Sequence, residues 1–121
     1  MADLTNIAIS SVASSAADGL MEANLFKQKS DLLMFAAGYM IKHHLTDFSP
    51  ETYVLSDSDG SNYAFSTFDG EGKWAALIRA LYPGCTTPYL YLRALMDKGV
   101  LLIAQRISDD TSYSLVNELL D

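Results

Sequence analysis

Paired cysteines, a basic surface and long apolar runs are all missing from this sequence, and each absence removes a class of protein. There is one cysteine, Cys85, in 121 residues, so no internal disulfide can form, as expected of a chain kept in a reducing compartment. A lone thiol acts as a nucleophile only beside a base. Cys85 instead follows Tyr82-Pro83-Gly84, a turn between two expected helices, and reads as a small, partly buried residue. Eight Lys and Arg face fifteen Asp and Glu, for a net charge of −7, and the densest basic group is Lys27 with Lys29. Proteins that hold nucleic acid neutralise phosphates with clustered bases, so no direct nucleic-acid binding is expected. The acids are too dispersed for the chain to mimic DNA. No stretch reaches the roughly 18 apolar residues that span a bilayer; residues 32–41 come nearest. The opening Met1-Ala2-Asp3-Leu4-Thr5 lacks the basic start and apolar run of a secretion signal. A cytoplasmic chain with no membrane partner is the expectation.

Hydrophobic residues make up 50% of the chain, and thirteen aromatics (seven Tyr, five Phe, one Trp) are too many for a disordered linker. This length buries one core without staples. Residues 1–121 are therefore read as a single, mainly α domain of four to five helices, with a short β-hairpin or ordered loop inserted at 46–72.

Residues 7–9 suit a short strand. A first helix is expected within 10–24, interrupted or frayed near Gly19. Ser30 or Asp31 should cap a second helix running to about Leu45. That helix is apolar on nearly every side, with Ala36, Ala37 and Gly38 letting neighbours approach, and should be the centre of the core. A third helix covers 73–82, placing Trp74, Leu77, Ile78 and Leu81 on one face. Thr87-Pro88 opens a fourth, Thr as cap and Pro at the first helical position. Its stripe of Tyr89, Leu92, Met96, Val100, Ile103 and Ile107 runs past Gly99, which either ends it or admits a close neighbour. Asp109-Asp110-Thr111 offers a cap for a last short helix.

Between 46 and 72 lie Asp47, Glu51, Asp57, Asp59, Asp69 and Glu71, with no base. Tyr53-Val54-Leu55 and Tyr63-Ala64-Phe65 flank Asp59-Gly60, a hairpin turn pair, at a spacing a little loose for a two-residue turn, so either a small hairpin or an ordered aromatic loop is expected. Asp57-Ser58-Asp59-Gly60 fails as a calcium loop: counting from Asp57, Gly falls at position four and Phe68 at twelve. His43 and His44 are adjacent, so their rings diverge by about 100° on a helix and do not converge on a metal. His43 and Asp47 form a weak pair, and solvated residues near a helix end are the expectation. The carboxylate pairs Asp57/Asp59 and Asp69/Glu71 read as solvated acids, lacking the desolvated cleft that general acid–base work needs. No phosphate loop, dinucleotide fingerprint or nucleophile elbow is present. Catalytic, cofactor and metal residues are therefore expected to be absent. Tyr53, Asp57, Asp59, Tyr63, Phe65, Phe68 and Trp74 are the candidate partner contact, since interfaces favour aromatics; a satellite core under the loop explains the rings equally well.

Residues 26–37, Phe-Lys-Gln-Lys-Ser-Asp-Leu-Leu-Met-Phe-Ala-Ala, resemble a motif of the DNA phosphorothioation (Dnd)-associated protein 4 family. These are small accessory proteins of bacterial anti-phage defence systems. Trp74 to Leu81, and residues 92–102 with Gly99, follow in corresponding order, so the likeness spans about residues 26–104. Gly38-Tyr39-Met40 stands where the family tends to keep a Leu-Gly pair. The resemblance implies a non-catalytic accessory subunit that bridges or regulates larger nuclease or SMC-like ATPase subunits of a defence complex. Two other readings compete. One is a winged-helix-like nucleic-acid-binding module, against which the charge argues. The other is an acidic phage-encoded inhibitor of a host defence protein.

Overall fold

The computed structural model describes residues 2–110 and 113–120. In chain order it has strand β1 (Asn6–Ala8), helices α1 (Ser11–Met21) and α2 (Lys29–His44), strand β2 (Asn62–Ala64), and helices α3 (Ser66–Asp69), α4 (Lys73–Leu81), α5 (Pro88–Asp109) and α6 (Leu115–Leu120). The fold is mainly α with a small antiparallel β element, as the residue pattern implies.

The core forms where α2 and α5 lie against each other. Leu92, Leu95, Met96, Val100 and Ile103 of α5 are fully buried, as are Leu32, Leu33, Ala36, Ala37 and Met40 of α2. Each buried Leu, Ile or Met side chain contributes about 1.5–3 kcal/mol. Gly99 makes the close approach possible: a Cβ there would strike the backbone carbonyl of Ala36. The helix therefore runs unbroken through Gly99 to Asp109. α1 lays Ala13, Ala17 and Leu20 against the same core, and α4 inserts Ile78.

Several local expectations are corrected. α1 is not interrupted at Gly19 but ends two residues beyond it, at Met21. Neither Ser30 nor Asp31 caps α2; Gln28 occupies that position without a side-chain bond, and the Ser30 hydroxyl donates to Gln28 Oε1. Thr87 occupies the cap position of α5, but its hydroxyl caps nothing. Asp3 does so from the start of the chain, its carboxyl accepting from the amides of Tyr89 (2.9 Å) and Leu90 (3.0 Å). On α4, Ala75 and Ile78 face inward, whereas Leu77 is 43% exposed. The one-turn α3 was not anticipated. Asp109 belongs to α5 and Asp110 follows it, Thr111 lies outside the described residues, and Ser114 Oγ instead accepts from the Asn117 amide to cap α6.

The largest correction concerns strand pairing. Residues 53–55 form no strand and Asp59-Gly60 does not join a hairpin; of the two arrangements expected there, the ordered loop is the one present. β2 pairs antiparallel with β1, in the register Asn6 to Ala64, Ile7 to Tyr63 and Ala8 to Asn62. Ile7 is fully buried and brings its own apolar face, which residues 53–55 do not. No helix among the described residues is long and apolar enough to cross a membrane.

Candidate interaction site

Residues 45–61 connect α2 to β2 without regular structure, yet polar bonds fix them along their length. Ser10 caps α1 by accepting from the Ala13 amide. The next residue, Ser11, donates its amide to Asp57 Oδ1 (2.8 Å) and its hydroxyl to Asp57 Oδ2 (2.6 Å). Asp57 Oδ1 also accepts from the Asp59 amide, an Asx-turn that bends the loop back. These bonds, the Ser11 hydroxyl first and then the two amides, hold the Asp57 carboxyl below its usual range against a small desolvation effect. Gly60 donates to the Ile9 carbonyl, and Ile9 donates to that of Ser61. A Cβ at Gly60 would lie 2.7 Å from the Ile9 carbonyl oxygen, so only glycine permits this crossing.

The deepest fastening is at Asp97, which is fully buried on α5. One oxygen accepts from the Ser10 amide and the other from the Tyr53 hydroxyl, each at 2.7 Å. A buried carboxyl needs such donors. Burial first, and then Asp97, push the Tyr53 phenol well above its ordinary range, so it stays a donor.

The seven candidate contact residues divide into two sets. Tyr53 and Asp57 belong to the fastened loop, with the Tyr53 ring edge-on to Phe48 at 5.5 Å. Asp59 is exposed. The others gather near the start of α5: Tyr63 meets Phe68 at 5.2 Å, and Phe65 meets Tyr89 at 4.9 Å. Phe68 is buried, and Tyr63 and Trp74 pack partly buried against the core. Phe65 remains 36% exposed. No ring contact among the described residues joins the two sets.

Asp69 corrects the expectation of a solvated acid. It is buried and holds the start of α4, accepting from the amides of Trp74 (2.8 Å) and Ala75 (3.0 Å) and from the Tyr89 hydroxyl (2.8 Å). Burial pushes this carboxyl up, but the Trp74 and Ala75 amides, Tyr89 and the Lys73 amide outweigh it and leave it below its ordinary value. Tyr89 is pushed up to about 12, by burial and then by Asp69.

Beneath Val54 lies an open groove of about 400 Å³ lined by Tyr53, Val54, Leu55, Asp57, Ser58 and Arg93. Val54 points outward at 85% exposure. Arg93 is partly buried, its Nε is sealed from solvent, and that nitrogen has no hydrogen-bond partner. No ion pair or ring contact reaches the guanidinium among the described residues.

At the other end of the molecule Glu118 of α6, also buried, meets Lys42 (3.1 Å), His43 (3.0 Å), Arg106 (3.8 Å) and the Tyr113 hydroxyl (3.3 Å). Arg106 also donates to Tyr39 and lies 4.0 Å over the Tyr113 ring. His43 thus pairs with Glu118, and it is His44 that meets Asp47, at 3.0 Å. Burial raises the Glu118 carboxyl, but His43 and Lys42 bring it below its ordinary value. Among the described residues no three His, Cys, Asp or Glu side chains converge as metal ligands. Cys85 is buried.

Three informative residues escaped the sequence reading: Arg93, Asp97 and Glu118. Their signal was present, since Arg93 and Asp97 are charges one turn apart inside a helix otherwise apolar from Tyr89 to Ala104 apart from Lys98. Comparison with known proteins yields no match to any protein-family model, characterised protein or solved structure.

Proposed function

We propose that this protein is a non-catalytic interaction subunit that docks on a larger protein through the outer side of its fastened 45–61 loop. One observation carries this reading: Val54 stands 85% exposed on a loop pinned from below by Tyr53–Asp97 and Asp57–Ser11. A pinned loop presents an apolar side chain at little further entropic cost on binding. The neighbouring acids Glu51 and Asp59 are exposed and favour a partner with a basic rim.

The resemblance of residues 26–37 bears on what the partner is. It supports a larger nuclease or SMC-like ATPase subunit of a bacterial anti-phage defence complex, which this chain would bridge or regulate. The test is purification of the tagged protein from its native host, with sizing and mass spectrometry, beside a Val54→Asp variant that leaves every described hydrogen bond intact. A larger nuclease or ATPase subunit should accompany the wild type, and its recovery should fall at least about tenfold with the variant, as expected for loss of about 1.4 kcal/mol. A monomer without partner, or salt-sensitive retention of DNA by the isolated chain, would overturn the reading.

A further inference from the structure

A second groove, of about 270 Å³, opens beside the 45–61 loop and is lined by Phe48, Pro50, Glu51, Tyr82, Pro83 and Tyr91. Its walls are largely aromatic. Tyr82 and Tyr91 stand nearly perpendicular, with ring centroids 5.6 Å apart and planes at 76°, so their faces form a corner. Phe48 has its ring contact with Tyr53 instead and lines the groove apart from that corner. The Tyr82 hydroxyl is sealed from solvent, so what this residue offers the groove is its ring. The one charged side chain on these walls is Glu51. It is exposed, and its carboxylate accepts no hydrogen bond and joins no ion pair among the described residues. Burial first, and then the nearby Glu51 charge, push the Tyr91 phenol above its ordinary range. Glu51 and Tyr91 also line the adjoining groove with Thr86 and Thr87, and no Lys or Arg lines either one.

Aromatic faces carry negative potential, and a carboxylate beside them adds a full negative charge. An anion is repelled by both and a neutral group has no use for either, whereas a cation is attracted by both. We infer that this groove takes an arginine side chain of the partner protein, stacked on the tyrosine rings with Glu51 as its counter-ion. The inference rests on the proposed interaction function, whose loop supplies Phe48, Pro50 and Glu51, and names the side chain that the partner contributes. Arginine suits these walls better than lysine, because its guanidinium is flat, weakly hydrated, stacks on aromatic faces and forks onto a carboxylate. Charge agrees: the chain carries −7, and residues 46–72 hold six acids and no base. Rings and prolines alone would also suit a polyproline segment, but such a segment leaves Glu51 without a partner.

The test follows the ring resonances of Phe48, Tyr82 and Tyr91 by NMR in the full chain at fixed ionic strength. The probes are the blocked tripeptide Gly-Arg-Gly, its citrulline and lysine counterparts, and blocked tri-proline. The arginine peptide should shift these resonances saturably. The citrulline peptide, which keeps the shape and loses the charge, should bind at least about tenfold more weakly, and the lysine peptide should bind more weakly than arginine. Glu51→Gln should weaken the arginine peptide about threefold and melt with the wild type, because its carboxylate holds nothing in the chain. Glu22→Gln, an exposed acid that lines neither groove, should leave binding unchanged. No saturation by the arginine peptide, equal binding of the citrulline or lysine peptide, saturation by tri-proline, or equal effects of the two Glu variants would each overturn the assignment. A chain that binds the arginine peptide yet recovers no larger subunit would support the groove and overturn the proposed function. Recovery of that subunit undiminished by Glu51→Gln, with no saturation by the arginine peptide, would overturn the groove and leave the proposed function standing.

Discussion

Asp97 and Glu118 are both buried carboxyls far from the chain segments they hold, but their partners differ in kind. Asp97 binds neutral donors, a backbone amide and a phenol, inside the protein. Glu118 binds cations at the surface, with Lys42 46% and Arg106 43% exposed. The first arrangement joins α5 to the start of α1 and to the long loop. The second joins α6, of which no Cα lies within 8 Å of another helix or strand among the described residues, to the ends of α2 and α5. The loop is thus integral to the core, and α6 is a strap held by two inward side chains, Leu115 and Glu118. Bonds from uncharged donors in a dry place resist salt and exchange; ion pairs in a wet place answer to both.

The sharpest way to break that contrast is Asp97→Ala. It leaves two buried donors without acceptors and should cost about 2–5 kcal/mol, read as a large fall in the thermal or denaturant midpoint. If Glu118→Ala costs as much, the contrast is wrong. Next in size is Gly60→Ala, which drives a Cβ into the backbone of Ile9 and Ser10 and should cost about 1–3 kcal/mol; proteolysis should then cut the loop first. Tyr53→Phe keeps the ring and its Phe48 contact and removes one bond to Asp97. It should cost about 1 kcal/mol and speed amide exchange at residues 53–58 without loosening α6.

The smallest global effects belong to Glu118. Glu118→Gln should change overall stability by about 1 kcal/mol or less, yet raise amide exchange throughout α6. Its folded carboxyl lies below the ordinary value of 4.5. The unfolded state therefore takes up protons first, so the contribution of Glu118 is complete above about 4.5 and is lost as pH falls through the lower, folded value. Acid and high salt should release α6, measured by the Tyr113 and Leu115 resonances, while the Tyr53–Asp97 bond persists in salt.

The longer helices were legible because their signals are local. A run apolar on nearly every side marked α2, apolar residues at spacings of three and four marked α4 and α5, and Pro88 marked where α5 begins. Misreadings came where a distant group replaced a near one. Asp3 did the capping expected of Thr87, Ser114 that expected of the 109–111 run, and Asn6–Ala8 the pairing expected of residues 53–55. Adjacent residues with turn chemistry are a fair guide when a hairpin forms. They carry no information about a strand 54 positions upstream. The same holds for the site: the aromatic residues of the 46–72 segment were legible by type, but which of them pack inward depends on α5. Arg93 and Asp97 interrupt the apolar stripe of α5, and only the loop that lies over them accounts for their place there.

The pairing of β1 with β2 also sets an order of events. Residues 6–8 have no strand partner until residues 62–64 exist, and Ser10 has no acceptor for its amide until Asp97 does, 87 residues later. On a ribosome the opening segment must wait while most of the chain is made. In refolding, closure of these long loops follows the local formation of α2 and α5, since loop entropy is lost before the contacts return it. Fastening of the 45–61 loop is therefore a late step, and the surface it carries exists only once the rest of the protein has folded.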